Sequence, residues 1–548
     1  MDKLGEAALM QLADALVSSG AVAAGYNWFN LDDGFISSRA ADGTLICSQP
    51  AFPSGTLAPL AAYVGQRGLA LGAYTDRGEE TCEGRPGSAG HEAQDAATFA
   101  RWGVQWLKED SCSAPASFAA ALAQYSAMAA GLRASGEDVF FELCGWWQAY
   151  ASFSALTPPI GDAWRVATDV GSWERWLVNV EAAASVAAFA GPGRGWPDVD
   201  MLSGVWSAAQ ERLRLSFICV IGAPLLLSWN VSQANHSTLP LARYFDSELL
   251  AVHGDDAAPA VAARGAYFAR VAGGSVTGAS SASAAPFLPV DTAGDCASAQ
   301  AAWAWAPDAA LPGYGSLQPL TVPGFCLGLW DNWPSTQCLL PLAAQLVPCN
   351  NSYGCPATSM RWAIAAGNST IATALDWAGR TPRPGPFLSA VGGVPAALYV
   401  QEAAAAGSTP ALAQAWASNL SSTASPGVTT LRSPATGACL AAPAVATSTN
   451  VWARFLANGD VALLLLNAGA APAAVRCDAA CFAQLGAAAA WRARDVWEHA
   501  DAGIITAAQG YTSPPLEPVG GSLLLRLTPV AAGEAPASPR STAAAAAA

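Results

Sequence analysis

The sequence predicts an α/β chain of parallel strands, a barrel or a doubly wound sheet, followed by a separate stretch of β structure. Two observations lead there. From residue 5 to about 235, helical stretches alternate with short apolar runs that end in polar or charged residues, the repeat of successive βα units. From about 245 onward charge density is low, Gly, Pro, Ser and Cys dominate, and β-like runs such as Val461 to Leu466 and Ser522 to Leu527 replace the alternation. A length of 548 residues allows two or more domains, one of them large enough to be a barrel.

In chain order the strand candidates are Trp28 to Leu31, Leu69 to Tyr74, Trp106 to Lys108, Val139 to Leu143, Trp164 to Ala167, Val199 to Leu202 and Leu225 to Trp229. Between them the composition predicts helices over Ala7 to Ser19, Leu57 to Gln66, Ala93 to Trp102, Ala116 to Arg133, Trp173 to Ala188 and Ala208 to Leu215. The strands number seven, one short of a closed eight-stranded barrel. Gly274 to Pro286 reads as a linker, and the tail that ends in an alanine run reads as disordered.

Several function classes fall away. A formal charge of −15 repels an anionic polymer, so nucleic acid is not the partner. The longest apolar run, Ser216 to Trp229, is too short to cross a bilayer and reads as buried core. His91, His236, His253 and His499 have no metal-ligand spacing, and none lies beside a nucleophilic Ser or Cys. Gly87 to Gly90 is too short and wrongly placed for a phosphate loop, so no cofactor is implied. The 13 Cys, with sequons at Asn230, Asn235, Asn350, Asn368 and Asn419, fit an oxidising, glycosylating compartment. The first residues lack the charged start and apolar stretch of a signal peptide and run directly into a helix, which reads as a missing N-terminus.

Acidic residues follow several strands: Asp32, Asp33, Asp76, Asp110 and Asp169. At the carboxyl rim of a parallel barrel such residues converge although they are far apart in sequence. Two converging carboxyls are what glycosidic cleavage with retention requires, one ionised to attack C1 and one protonated to assist the leaving group. Lys108 lies two residues before Asp110 on the same strand face, and a nearby cation favours the ionised form. That makes Asp110 the better nucleophile. Asp169 lies four residues after Arg165, and its protonation depends on geometry that the sequence leaves open. An Asp after a strand also serves as a turn residue or helix N-cap, so each acid has a structural alternative.

Eight blocks make the reading specific. Leu-Asp-Asp-Gly-Phe at 31–35, Tyr-Thr-Asp-Arg-Gly at 74–78, Gly-His-Glu-Ala-Gln-Asp-Ala at 90–96 and Trp-Leu-Lys-Glu-Asp-Ser-Cys at 106–112 resemble glycoside hydrolase family 27, the α-galactosidases. Leu-Cys-Gly-Trp at 143–146, Trp-Arg-Val-Ala-Thr-Asp at 164–169, Gly-Trp-Pro-Asp-Val-Asp-Met-Leu at 195–202 and Ala-Pro-Leu-Leu-Leu at 223–227 resemble its later blocks. The resemblance implies a TIM (β/α)8 barrel, its first strand missing from this chain, followed by an antiparallel β-sandwich domain with a Cys-rich insert. It implies Asp110 as nucleophile on strand four and Asp169 as acid/base on strand six. It also implies that Asp32 and Asp33 grip galactose hydroxyls, that Tyr74, Lys108, Cys144, Trp146, Arg165 and Met201 line the pocket, and that Cys82 and Cys112 form a disulfide. The implied partner is a carbohydrate with terminal α-galactose, and the implied location is extracellular or vacuolar/lysosomal.

On this basis the domains are 1–245 (barrel), 246–286 (helix and linker), 287–440 (Cys-rich β insert), 441–530 (C-terminal antiparallel β domain) and 531–548 (disordered Ala-rich tail). The insert from Cys326 to Trp377 faintly resembles a ricin-type β-trefoil repeat; a disulfide-stapled surface insertion is the plainer reading. Departures from the family bear on substrate. Gly34 stands where many members have Cys, and Gly145 stands where members place a Glu or Ser that reads the sugar's 2-substituent. Asp198 and Asp200 are read as structural acids. Gly145 keeps α-N-acetylgalactosaminidase and β-L-arabinopyranosidase open beside α-galactosidase. A catalytically weak galactose-binding protein and a transglycosylase are the alternatives of other kinds.

Overall fold

The computed structural model describes residues 4–115, 118–145, 160–167, 169–232, 237–255, 267–271, 451–469 and 471–531, together with the strands and short stretches of 274–441. The chain divides into two compact units: residues 1–201, 228–236 and 285–446 form one, and residues 202–227, 237–284 and 447–548 form the other.

The first unit is built on a parallel sheet. Its strands are β1 (Trp28–Asn30), β4 (Ala70–Asp76), β5 (Val104–Asp110), β6 (Phe140–Leu143), β7 (Ala163–Arg165) and β8 (Trp196–Asp198), adjacent in that order and all parallel. The hairpin β2 (Ile36–Arg39) and β3 (Leu45–Cys47) projects after β1. Helices Glu6–Ser18, Ala58–Gly65, Glu92–Arg101, Phe118–Ser135 and Trp173–Val186 supply the α half of the repeat. Each sits within two residues of its expected position.

Register decides what meets what. Tyr74 lies opposite Lys108, Lys108 opposite Glu142, Asp76 opposite Asp110, and Arg165 opposite Asp198. Side chains alternate between faces along a strand, so these registered pairs and their neighbours two residues away share one face. At the lower end of that face Trp28, Trp106 and Phe140 pack together, with ring centroids 5.2 Å and 4.3 Å from Trp106. This aromatic layer closes the sheet interior beneath the charged residues.

The second unit is a β-sandwich with a helix against it. Its six-stranded sheet runs in the order Ala500–Thr506, Ala490–Asp495, Gly521–Pro529, Val461–Asn467, Val451–Phe455, Phe268–Arg270. A three-stranded sheet joins Gly274–Thr277, Ala474–Cys477 and Tyr511–Thr512. Val461, Leu463, Leu465, Leu523, Leu525 and Leu527 face the core between sheets with Phe482 and Trp491. Val461–Asn467 is buried along its whole length, so it reads as a continuous apolar run rather than an alternating one. Helix Ala208–Ile221 covers the other face: Phe217 meets Trp452 edge-on at 4.8 Å, and Trp497 Nε1 donates to Ser216 Oγ at 2.8 Å. A capping box between Ser207 and Gln210 starts this helix, and Gly222 ends it with φ 72°.

Four expectations need correction. The strand expected at Val199 to Leu202 is Trp196–Asp198 instead, because Asp200 takes φ 75° and cannot continue an extended ladder. Leu225 to Trp229 contributes only a single parallel bridge, Leu227 to Leu202. Part of the expected linker, Gly274–Thr277, is a strand paired with Ala474–Cys477, where its backbone groups are satisfied. The helix expected over Ala208 to Leu215 continues to Ile221, and it groups with the sandwich rather than with residues 1–201. Within 287–440 the described residues are mostly short strands, among which Trp303, Trp305, Leu317 and Leu327 are buried. Most of Cys326 to Trp377, which would carry the trefoil repeat, and residues 532–548 of the tail lie outside the described residues.

Candidate active site

The carboxyl ends of β1, β4, β5 and β7 bring the strand-end acids to one rim. Asp110, the last residue of β5, is 6% exposed. Its Oδ1 accepts the Ser111 N–H at 2.8 Å, and its Oδ2 accepts the Tyr74 hydroxyl at 3.1 Å. These donors fix the orientation of the carboxylate. Cys82 and Cys112 are joined in a disulfide beside it, and the Cys82 sulfur lies 3.8 Å from Asp110 Oδ2. The loop bearing Cys82 folds back tightly: a Cβ on Gly87 would stand 2.2 Å from the Gly78 carbonyl oxygen, so this crossing requires glycine.

Lys108 Nζ donates to Asp32 Oδ2 at 2.9 Å and lies 5.2 Å from the centre of the Tyr74 ring. Burial alone would lower the lysine's pKa, but Asp32 and the other anions nearby raise it well above its usual value, so it stays a cation. Burial pushes the Asp32 carboxyl up, yet Lys108 and the Asp33 N–H outweigh it and leave Asp32 below the usual range. Asp33 is used differently. Its Oδ1 accepts the Gly34 N–H at 2.7 Å and its Oδ2 accepts the Glu83 N–H at 2.9 Å, tying the β1 loop to the Cys82 loop.

Across the rim Arg165 is 3% exposed and surrounded by acids: Asp169 at 3.1 Å, Asp200 at 3.3 Å and Asp198 at 3.6 Å. Asp169 itself is open to solvent, its side chain 72% exposed. Asp200 Oδ2 accepts the Val170 N–H at 2.6 Å, which clamps the loop carrying Asp169. The left-handed backbone of Asp200, costing about 1–3 kcal/mol for a non-glycine residue, is the conformation that permits this. Asp198 and Asp200 are therefore Arg165's partners as well as structural acids.

Cys144 is buried among these groups, and burial holds its thiol well above the usual range, hence neutral. Met201 is partly buried and its N–H donates to Asp200 Oδ1 at 2.8 Å. Trp146 lies outside the described residues. Asp76, Cys82, Asp110 and Cys112 have potential ligand atoms within 4.8 Å of one another, but the disulfide uses both sulfurs, so the set does not fit a thiolate-bound metal.

Two further carboxyls stand in the interior: Asp76, read from sequence only as one of the strand-end acids, and Glu142, which the sequence reading did not single out. Asp76 Oδ1 and Oδ2 accept the Gly78 and Cys112 N–H groups at 2.7 Å and 2.6 Å, yet burial, aided by the charge of Asp110, raises its pKa to about 7. Glu142, below the rim on β6, accepts Trp106 Nε1–H at 2.9 Å, and burial followed by the charge of Asp198 raises it well above the usual glutamate range. The sequence signal for Glu142 is its place in the alternation Phe140, Glu142, Cys144, on the face that Cys144 shares.

Comparison with known proteins gives a consistent result. The family described as alpha galactosidase A matches residues 2–253, and the alpha galactosidase C-terminal beta sandwich domain matches residues 446–526. A probable alpha-galactosidase of Dictyostelium discoideum is 34% identical over 256 residues, covering 46% of this chain and 64% of that protein. The alpha-galactosidase of Cyamopsis tetragonoloba is 37% identical over 258 residues, covering 46% of this chain and 61% of its own length. The chain thus spans less than two thirds of the length of these relatives. In fold, it is similar to the alfa-galactosidase of Saccharomyces cerevisiae, with TM-score 0.56, 17% identity and coverage of 96% and 94% of the two chains. It is also similar to a β-L-arabinopyranosidase of Geobacillus stearothermophilus, with TM-score 0.53, 12% identity and the same coverage.

Proposed function

Because the chain belongs to the alpha galactosidase A family of melibiases, we propose that it is a retaining α-galactosidase that removes terminal α-linked galactose from oligosaccharides or glycoconjugates. Asp110 is the nucleophile and Asp169 the general acid and base. The observation that best supports this is the contrast between the two: Asp110 is buried and held by two donors, while Asp169 is solvent-exposed beside Arg165.

In the first step Asp110 Oδ attacks C1 of the galactosyl unit as the bond to the leaving oxygen breaks, and Asp169 gives that oxygen its proton. The result is a galactosyl ester of Asp110. In the second step Asp169, now a carboxylate, takes a proton from water, the water oxygen attacks C1, and Asp110 leaves as the carboxylate with the original anomeric configuration restored. Asp32 and Asp33 bind hydroxyls of the sugar, and Tyr74, Lys108, Cys144, Trp146, Arg165 and Met201 line the pocket. The catalytic region is residues 1–245. The disulfides Cys82–Cys112 and Cys477–Cys481 support a secretory location.

Gly145 favours a second reading within the same class. It leaves no side chain at the position that would face the sugar's 2-substituent, so α-N-acetylgalactosaminides or β-L-arabinopyranosides are competing substrates. The test is hydrolysis of p-nitrophenyl α-galactoside, α-N-acetylgalactosaminide and β-L-arabinopyranoside, with the released sugar's anomer followed by NMR. The expected result is the highest kcat/KM on the α-galactoside with α-galactose released first. Preference for another glycoside would move the assignment to that sugar, and binding without turnover would leave a galactose-binding protein.

A further inference from the structure

Beneath the rim a second pair of carboxyls stands closed off from water. Glu142 and Asp198 are 3% and 2% exposed and hydrogen-bond each other. Glu142 is held from the other side by Trp106 Nε1. Asp198 Oδ1 accepts the Asp200 N–H at 2.8 Å, while its Oδ2 lies 3.6 Å from Arg165 Nε. Two carboxylates in such contact repel, so the pair is stable only with one proton between them. Arg165 stabilises the anion on Asp198, which leaves the proton on Glu142. Among the described residues, Arg165 is in turn the one side chain that hydrogen-bonds Asp169.

We propose that Glu142 is a positioning residue for the acid/base carboxylate: its carboxyl proton is donated to Asp198, which fixes Asp198 under Arg165 and so fixes Arg165 against Asp169. The inference rests on the reading of Asp169 as acid/base. The groups that face this pair are Lys108 and Trp106 from β5, Arg165 from β7, and Asp200 following β8. Lys108 is paired with Asp32 and acts on Asp200 only from a distance, so Arg165 is the cation in ion-pair contact with Asp169, Asp198 and Asp200. Without the proton on Glu142 a further anion would join this group. Without Glu142's carboxyl, Asp198 would turn both oxygens to the guanidinium and draw it away from Asp169.

The test exploits leaving-group chemistry. An alkyl glycoside such as melibiose needs its leaving oxygen protonated, whereas p-nitrophenolate departs with little help, so a damaged acid function lowers kcat/KM selectively on melibiose. Glu142→Leu is expected to lower kcat/KM on melibiose about tenfold or more and on p-nitrophenyl α-galactoside less than about threefold, with azide restoring kcat by intercepting the galactosyl ester without a base. Glu142→Gln, which still donates to Asp198, is expected to restore both substrates. Should the leucine variant fail to fold, Asp198→Asn breaks the next link and carries the same selective loss. Equal loss on both substrates, or no rescue by glutamine, would overturn the proposal while leaving Asp169 in place if Asp169→Asn shows the selective loss. An Asp169→Asn variant without leaving-group dependence would overturn the reading of Asp169 and this inference with it.

Discussion

The interior of the parallel sheet and that of the β-sandwich are both largely buried, yet their contents are opposite. Above the layer of Trp28, Trp106 and Phe140 the parallel sheet holds Lys108, Glu142, Arg165, Asp198 and Asp200. The sandwich is filled by Val461, Leu463, Leu465, Leu523, Leu525 and Phe482. Burying charge costs several kcal/mol per ion unless the partners are well arranged. An apolar interior would stabilise the parallel sheet more simply, as it does the sandwich. The charges cluster beneath the rim, and on the proposed function the difference separates residues that serve chemistry from residues that hold the fold.

The separation can be broken most forcefully at Asp110. Asp110→Ala is expected to lower kcat on p-nitrophenyl α-galactoside about 10^4-fold or more while the melting temperature stays near that of the parent, measured by differential scanning fluorimetry. Asp169→Asn comes next, with a loss of about 10²–10⁴-fold on melibiose and a smaller loss on the nitrophenyl substrate. Deleting charge-free packing should do the reverse. Leu464→Ala, at a fully buried position, is expected to cost about 2–5 kcal/mol in denaturant unfolding and leave kcat/KM of the folded protein unchanged.

The interior charges also set how stability follows pH. The pKa of Asp76 is raised to about 7, so the folded state binds its proton more tightly than the unfolded chain does. Its contribution is complete below the ordinary aspartate range and is lost as pH rises through about 7. Glu109 and Glu142, raised by burial, act in the same direction. Asp32 and Asp200, lowered by Lys108 and Arg165 against their own burial, contribute above the ordinary range and lose it only at strongly acidic pH. The melting temperature should therefore be higher near pH 5 than near pH 8, and Asp76→Asn should flatten that decline. The smallest effect belongs to the surface: Arg212→Ala, which removes the partly exposed pair with Glu498, is expected to change stability by less than about 1 kcal/mol.

Much of this organisation was legible in the sequence, for identifiable reasons. The βα alternation is a periodic signal carried by many residues, and it located the parallel strands and the helices within residues 1–201 to within a few positions. Asp110 and Lys108 were legible together because a period of two fixes their common face. What stayed hidden depends on single backbone conformations or on contacts between distant strands. The left-handed turn at Asp200 displaced the last strand, and no composition signal marks it. Asp198 read as a structural acid because its tie to Glu142, 56 residues earlier in the chain, exists only once β6, β7 and β8 are side by side. Gly274–Thr277 read as linker because its strand partner lies at Ala474–Cys477.

Covalent labelling tests the central claim most directly. The protein would be treated with 5-fluoro-α-galactosyl fluoride, which forms a galactosyl ester that hydrolyses slowly, then digested and analysed by mass spectrometry. The expected result is one added fluorogalactosyl group on the peptide containing Asp110, absent in Asp110→Ala and still formed in Asp169→Asn. A label on any other carboxylate, or turnover that continues undiminished in Asp110→Ala, would contradict the assignment.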